Sequence, residues 1–413
     1  MYFNVAGNTK QKNPILNKLQ KSFHNRRDLY IALAATMFFG ASGGVFISTL
    51  NNYLAEVHNL GAQFRGWLEF PRELPGFLMI FIAGGLMMVL RETQMAATAM
   101  MFTAIGAAGM GYLAPGKAML IVWIMVWSMG DHIIFVVDGT IGLKLAKQGR
   151  EGRRLGQIGG ARNFGTILGV GLVFLIAKLS RDNFGLFFMV ATGAAVISGL
   201  LYLRLKVGRG DPPSKRIVFK KKYRLFYAIS ALFGIRKQLF LAFGGWVLVS
   251  MHDVSVSTIA LLYFIASLAG VLVRPLIGEA IDRLGERFIL SLDEILIILV
   301  CLTYAFTSDL LPAPFDLWIL FTAYMLDHLL FSLRVARTTY LKKIIEDPTD
   351  IIPSISMGIT IDHVVAMSLP VLSGYAWEVW GFRWVFIMAA AIAFAGFFVC
   401  LQIRVPEKKK AIV

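Results

Sequence analysis

The sequence predicts an all-α integral membrane protein whose twelve transmembrane helices form two pseudo-symmetric six-helix bundles. Three observations carry that prediction. First, 57% of the 413 residues are hydrophobic and only 16% are charged, with a mean hydropathy of +0.67. That apolar content exceeds what a soluble core can hide, so lipid must cover the remainder. Second, the chain repeats itself. Met129, Asp131, His132, Phe135, Leu145 and Lys147 return 196 positions later as Met325, Asp327, His328, Phe331, Leu341 and Lys343. A second set, offset by 194, matches Phe39, Gly40, Phe46, His58, Phe70, Leu74, Gly76 and Gly84 with Phe233, Gly234, Phe240, His252, Phe264, Leu268, Gly270 and Gly278. Duplicated helical halves with ionisable groups at membrane depth are the mark of a carrier whose site lies between the repeats. Third, the formal charge of +16 sits in short loops between apolar runs. This is the positive-inside pattern, not the continuous basic face of a nucleic-acid binder.

A spanning helix needs about 20 mainly apolar residues, and twelve such runs follow one another. They cover 29–55, 62–90, 94–113, 118–146, 155–177, 184–204, 223–251, 256–281, 288–307, 315–343, 352–376 and 382–404. The first six repeat as the last six. Residues 1–28 form a basic leader with Lys10, Lys12, Lys18, Lys21, Arg26 and Arg27, in which Ile15, Leu16, Leu19 and Phe23 could make a short interfacial helix. The N-terminal bundle is 29–205, the C-terminal bundle is 223–404, and 405–413 is a basic tail. Between the bundles, 206–222 holds Pro212, Pro213 and the run Lys220, Lys221, Lys222, too few apolar residues for a core, so it is a linker. Lys144, Lys147, Arg150, Arg153, Arg154, Arg91, Arg283, Arg287, Lys342 and Lys343 share one side, against Lys117, Lys178 and Arg181 on the other. Both termini are therefore expected in the cytoplasm and the chain in the plasma (inner) membrane. Cys301 and Cys400 lie inside apolar runs and read as buried thiols.

The eighth run ends in Gly278, Glu279, Ala280, Ile281, Asp282, Arg283, Leu284, Gly285, Glu286, Arg287. This resembles the loop signature of the major facilitator superfamily, placed, as in that family, after the second helix of a six-helix half. Physically, Gly278 permits close helix contact, Asp282 can cap or pair, and Gly285 permits a tight turn. The resemblance covers essentially the whole chain and implies a transporter working by alternating access, with no cofactor and no enzymatic step. The first half departs from the pattern: Met88 and Val89 stand where the Asp and Arg belong. The fifth run carries Gly159, Gly160, Gly165, Gly169 and Gly171, without the Gly-Pro pattern of similar drug-proton antiporters.

Function must be argued from the polar residues at membrane depth, because the fold class does not specify a substrate. These are Glu69, Arg72 and Glu73 on the second run; Asp131, His132 and Asp138 on the fourth; Arg162 on the fifth; and Arg236 and Lys237 on the seventh. Asp327, His328, Arg334 and Arg337 follow on the tenth, with Asp362 and His363 on the eleventh. In the repeat alignment Arg236, Lys237 and Gln238 stand opposite Ser42, Gly43 and Gly44. The family resemblance implies that the first, fourth, seventh and tenth helices line the cavity. The three residues, with Arg72 and Arg162, thus read as an anion-binding wall; the alternative is helix-holding ion pairs with Glu69, Glu73 or Asp131. Asp131, His132, Asp327, His328, Asp362, His363 and Glu73 are the candidates for proton coupling, since His titrates near neutral pH and a carboxylate in low dielectric can be raised toward it. Inter-helix hydrogen bonds are the plainer role. In an Asp-His pair the two side chains point about 100° apart, so one faces the cavity and the other a neighbour. Pro71 and Pro75 on the second run can bend it. Asp138 and Arg334, seven residues beyond the central aspartates, read as a gate pair with Arg337 as alternative cation; Gly278, Asp282, Arg283 and Gly285 form a second candidate gate device.

The sequence therefore implies a monomeric secondary transporter in the lipid bilayer, coupled to protons and moving a small polar, anionic organic solute. Efflux of amphipathic compounds, divalent-metal transport and a membrane-embedded enzyme are the alternatives. For a metal, no His-x3-His or cysteine ligand spacing is present, and the Arg236-Lys237 doublet would repel a cation.

Overall fold

The structure, a computed structural model, describes residues 14–147, 150–180, 183–206, 219–347 and 350–405. The first thirteen residues of the leader, linker residues 207–218, Arg181 and the tail from 406 lie outside them.

Among the described residues every regular element is helical. The first half runs α1 (Pro14–Asn52), α2 (Ala62–Trp67), α3 (Glu69–Val89), α4 (Glu92–Tyr112), α5 (Lys117–Lys144), α6 (Glu151–Ser180) and α7 (Phe184–Leu203). The second runs α8 (Arg224–Leu239), α9 (Gly245–His252), α10 (Val256–Leu310), α11 (Phe315–Leu330), α12 (Arg334–Ile344), α13 (Ile351–Trp380) and α14 (Phe382–Leu401). Short irregular turns weld some of these into single spans. A π-helical turn at Phe240–Gly244 joins α8 to α9, and a 3-10 turn at Phe331–Leu333 joins α11 to α12. A step at Leu68 separates α2 from α3. α1 reaches back to Pro14, so the leader helix is continuous with the first span, whose membrane-crossing stretch is Arg26–Val57.

Ten helical stretches among the described residues are long and apolar enough to cross a membrane. One of them, Val256–Leu310, has 55 residues. At 1.5 Å per residue that is about 80 Å, far more than the roughly 30 Å of hydrocarbon. Gly285 breaks it, with φ 81° and ψ 161°, a backbone region that a side chain would strain. The tight turn expected of Gly285 is therefore present, and α10 is two antiparallel-capable arms. With α2 and α3 taken as one span, the helices are consistent with twelve crossings. Asn183 Oδ1 accepts from Leu186 N at 3.0 Å to start α7, and Ser255 Oγ accepts from Thr258 N at 3.4 Å to start α10.

Small residues set the close crossings. A Cβ at Gly165 would stand 1.8 Å from the Met37 carbonyl oxygen, and one at Gly169 would stand 2.1 Å from that of Ala41. Gly40 and Gly44 face Arg162 and Thr166 of α6 in return. The glycine stripe of α1 thus serves its contact with α6, backbone against backbone. Gly278 behaves otherwise: a Cβ there would meet nothing within 4 Å, so the close contact expected at this motif glycine is not made. On the outside, Leu172, Leu175, Leu200, Leu272, Leu276, Leu372 and Phe394 are exposed, as lipid contact requires.

The halves meet from mid-depth to the end opposite the basic loops. Asn52 Nδ2 donates to the Val254 carbonyl at 2.8 Å, and Arg65 Nη2 donates to that of Leu241 at 3.0 Å. A Cβ at Gly66 would lie 2.1 Å from Pro370 O, and one at Gly374 would lie 2.8 Å from Ala62 O. These contacts seal the far end between α2 and α13.

Candidate functional site at the junction of the halves

Below that seal, α3, α5, α8, α10, α11 and α13 bring charged side chains together at mid-depth. Glu69 is 1% exposed and takes three donors: Arg65 Nη1, Arg72 Nε at 2.6 Å, and Gln238 Nε2 from the other half. Arg65 also bonds Asn51 Oδ1 at 3.0 Å. Taking a carboxylate out of water costs several kcal/mol unless it is paired and hydrogen-bonded, and Glu69 is both.

Glu73, one turn on, carries the second crossing of the halves. Its Oε1 pairs with Arg72 Nη2 at 2.6 Å, while Oε2 accepts from His363 Nδ1 at 2.8 Å and lies 3.9 Å from His132 Nε2. The His132 Nδ1–H donates to the Ser128 carbonyl at 2.8 Å, which fixes the tautomer and turns Nε2 toward Glu73. The two imidazoles sit edge to face, 5.0 Å between centroids. Gly76 makes room for them: a Cβ there would lie 2.4 Å from His132 Nε2 and 2.6 Å from His363 Cε1. Pro75 lies inside α3, and Ser128 Oγ donates to the Arg72 carbonyl one turn before it.

The ligand atoms of Glu73, His132 and His363 lie within 4.8 Å of one another, so the set has the donor types and spacing to hold a metal ion. The Arg72 guanidinium on the same carboxylate places a fixed positive charge against any cation bound there, more strongly against a divalent ion than against a single proton. That charge weighs against a metal centre at this cluster.

The expected anion wall is differently arranged. Arg236 Nη1 grips both oxygens of Asp293 at 2.9 and 2.8 Å, and its Nη2 is 3.4 Å from Asp327 Oδ1. Lys237 Nζ is 2.9 Å from Asp362 Oδ1. Arg72 and Arg162 also have carboxylate partners, in Glu69, Glu73 and Asp138. The pairing alternative thus describes these cations, though the acids on Arg236 and Lys237 are Asp293, Asp327 and Asp362 and not Glu69, Glu73 or Asp131. Burial is the reason: an unpartnered cation at mid-depth costs more than a paired one.

The duplicated Asp-His pairs have diverged. His132 bridges toward the other half, while His328 stands edge-on to Tyr263, with 5.2 Å between centroids. Asp327 faces Arg236, and Asp131 lies within electrostatic reach of Arg162, Arg72 and Glu73. The Asp138–Arg334 gate pair is not formed in this arrangement. Asp138 instead accepts from Arg162, from Thr36 at 3.2 Å and from Tyr202 at 3.1 Å, all in its own half. It ties α1, α5, α6 and α7 together. At the motif loop Arg283 pairs with Glu279 one turn back, Asp282 is exposed, and Lys343 Nζ reaches Glu286 Oε1 at 2.7 Å.

Four participants escaped the sequence reading: Arg65, Arg274, Asp293 and Glu294. The signal was available, since each is an ionisable residue inside an apolar run. Four acceptors or donors at this level, Ser42 Oγ, Gln238 Oε1, Arg236 Nε and Arg337 Nη1, are buried with no protein partner among the described residues. Buried polar groups require partners, which solute or water would supply.

Two helical halves sealed at one end around a charged centre are the architecture of a membrane transporter. The family model described as Major Facilitator Superfamily matches residues 10–336, and the chain belongs to that superfamily. Comparison with curated proteins gave no match. Among solved structures, the nucleoside transporter NupG (D323A mutant) superposes with a TM-score of 0.76 at 16% identity, covering 91% of this chain and 99% of that one. The D-xylose-proton symporter gives 0.70 at 15% identity, covering 92% and 98%. A bacterial homologue of the human lysosomal transporter Spinster, inward-facing and unoccupied, gives 0.67 at 14% identity, covering 93% and 99%. At these identities the likeness is one of fold.

Proposed function

We propose that the chain is a proton-coupled secondary transporter that moves a small polar, anionic organic solute by alternating access. The carrying observation is the Glu73–His363 hydrogen bond of 2.8 Å between the halves. A titratable pair whose members belong to opposite halves exists only while the far end is closed. Its protonation state therefore biases the two-state equilibrium on which transport runs. With the basic loops cytoplasmic and the protein in the plasma membrane, the sealed far end is the outer gate and the arrangement is inward-facing. When the outer gate opens, Glu73 and His363 separate and meet external protons. A proton gained there gives the imidazolium-carboxylate pair that favours closure; its release to the cytoplasm, through His132 and the acids Asp131, Asp327 and Asp362, weakens the seal again. A differential of about 1.4 kcal/mol would shift the ratio of states tenfold.

The polarity of the solute is supported by the unpartnered buried groups at mid-depth, and its anionic character by the two guanidinium nitrogens among them, Arg236 Nε and Arg337 Nη1. Reconstituted protein tests the reading. Organic anions should accumulate in proteoliposomes when a pH gradient is imposed, and a protonophore should abolish accumulation. Transport indifferent to both would remove proton coupling.

A further inference from the structure

Seven arginines inside the spans differ in their partners. Arg65, Arg72, Arg162 and Arg236 each have a carboxylate within 4.0 Å, whereas among the described residues Arg274, Arg334 and Arg337 have none. These three lie together. Arg274, on the first arm of α10, reaches Ser332 Oγ in the turn before α12 at 3.3 Å. Arg334 and Arg337 open α12 one turn apart, and the charges of Arg274, Arg162 and Asp362 all act on Arg334. What holds the α12 pair is aromatic. The Arg337 guanidinium lies 4.6 Å over the Phe233 ring and that of Arg334 lies 5.9 Å over Phe331, and the two rings are 5.3 Å apart. Cation-π contact orients a guanidinium without neutralising it. Arg337 Nη1 is buried and, among the described residues, has no hydrogen-bond partner.

We propose that Arg274, Arg334 and Arg337 form the oxyanion site of this transporter, which takes the carboxylate or phosphate group of a small organic anion. The inference rests on the anionic-solute reading above and assigns it to residues other than Arg236 and Lys237, whose charges are already met. Arg334 and Arg337 line one cavity with Phe233, Arg236, Asp293 and Glu294. Asp327 lies seven residues before Arg334, about 10 Å along the helix. The anion thus meets the trio on the side of the basic loops, one layer before the Arg236–Asp293–Asp327 network. Guanidinium forks match planar and tetrahedral oxyanions through paired N–H donors, which a lysine could not reproduce.

The test uses full-length protein in detergent and in nanodiscs, with succinate, inorganic phosphate and neutral mannitol as probes followed by calorimetric titration. Wild type should bind succinate or phosphate and not mannitol. Arg337→Gln and Arg334→Gln should each weaken that binding about tenfold or more, Arg337→Lys should restore it only in part, and Arg383→Gln, at the far end, should leave it unchanged. Size-exclusion profiles and melting temperatures establish that the variants are folded. Anion binding that survives Arg334→Gln and Arg337→Gln overturns the site while leaving an anionic solute in place. Failure of wild type to bind either anion overturns both. An anionic lipid headgroup is the competing occupant: loss of phosphatidylglycerol adducts in native mass spectra of the variants, with succinate and phosphate binding unaltered, would also overturn the proposal.

Discussion

The charges at mid-depth are arranged so that almost every one is answered, and the answers cross helices. Glu73 is the residue on which most depends, because a single carboxylate oxygen serves His363 of the other half while its partner oxygen is held by Arg72. Glu73→Gln and His363→Gln should each retain exchange of labelled solute at equal concentrations and lose accumulation driven by a pH gradient. Loss of both activities together, in variants that remain folded, would mean that the pair binds solute. Asp293 makes a different kind of claim. It is buried and takes both oxygens to Arg236. Breaking a buried ion pair from one side leaves an uncompensated charge, so Asp293→Asn should cost about 3 kcal/mol in detergent unfolding. The triple change Arg236→Met, Asp293→Leu and Asp327→Asn, which leaves neither acid without its cation, should recover most of that loss. An Asp293→Asn protein as stable as wild type would show that Asp327 alone meets the arginine's charge.

Among the elements, the contact of α1 with α6 shows how a composition acquires a meaning. Gly165→Ala would press a methyl group into the Met37 carbonyl and should destabilise by about 2 kcal/mol, the usual cost of overpacking. Gly159→Ala meets open space and should be neutral, or stabilising by up to about 1 kcal/mol, since Ala exceeds Gly in helix propensity. Thermal unfolding of the two variants side by side checks both; equal effects would show that the α1–α6 approach is looser than described. The break in α10 follows the same logic at a turn. Gly285 holds φ at 81°, and the helix on either side depends on that one backbone conformation to reverse course.

For the whole molecule, the seal at the far end is the feature that a change of state must undo. Gln63 N donates to Glu378 Oε1 at 3.4 Å across the seam between α2 and α13. In a background lacking Cys301 and Cys400, Gln63→Cys paired with Glu378→Cys should cross-link under oxidation, stop transport, and regain it on reduction. Cross-linked protein that still transports would show that the seam is static. Labelling should also mark a cysteine at Arg150 from the cytoplasm and one at Asn59 from outside. Reaction of both from the same side would overturn the proposed topology.

The sequence by itself determined the class of the molecule: the apolar excess, the period of the spans, the internal repeat and the Gly278–Arg287 signature are local or compositional properties that need no contact map. It also placed ionisable residues at membrane depth, because such residues are costly there wherever they point. Only the tertiary structure decided their partners. Arg236 could be matched with any acid on a neighbouring helix, and the choice of Asp293 over Asp131 depends on helix rotation and crossing, which spacing along one helix does not contain. The same limit explains why two identical Asp-His pairs took different roles. His132 meets Glu73 and His363, while the second half has Ser267 where the repeat would return Glu73, and His328 finds the ring of Tyr263 instead. A repeat fixes which residues return; the neighbours that meet them are set by packing, which was free to diverge.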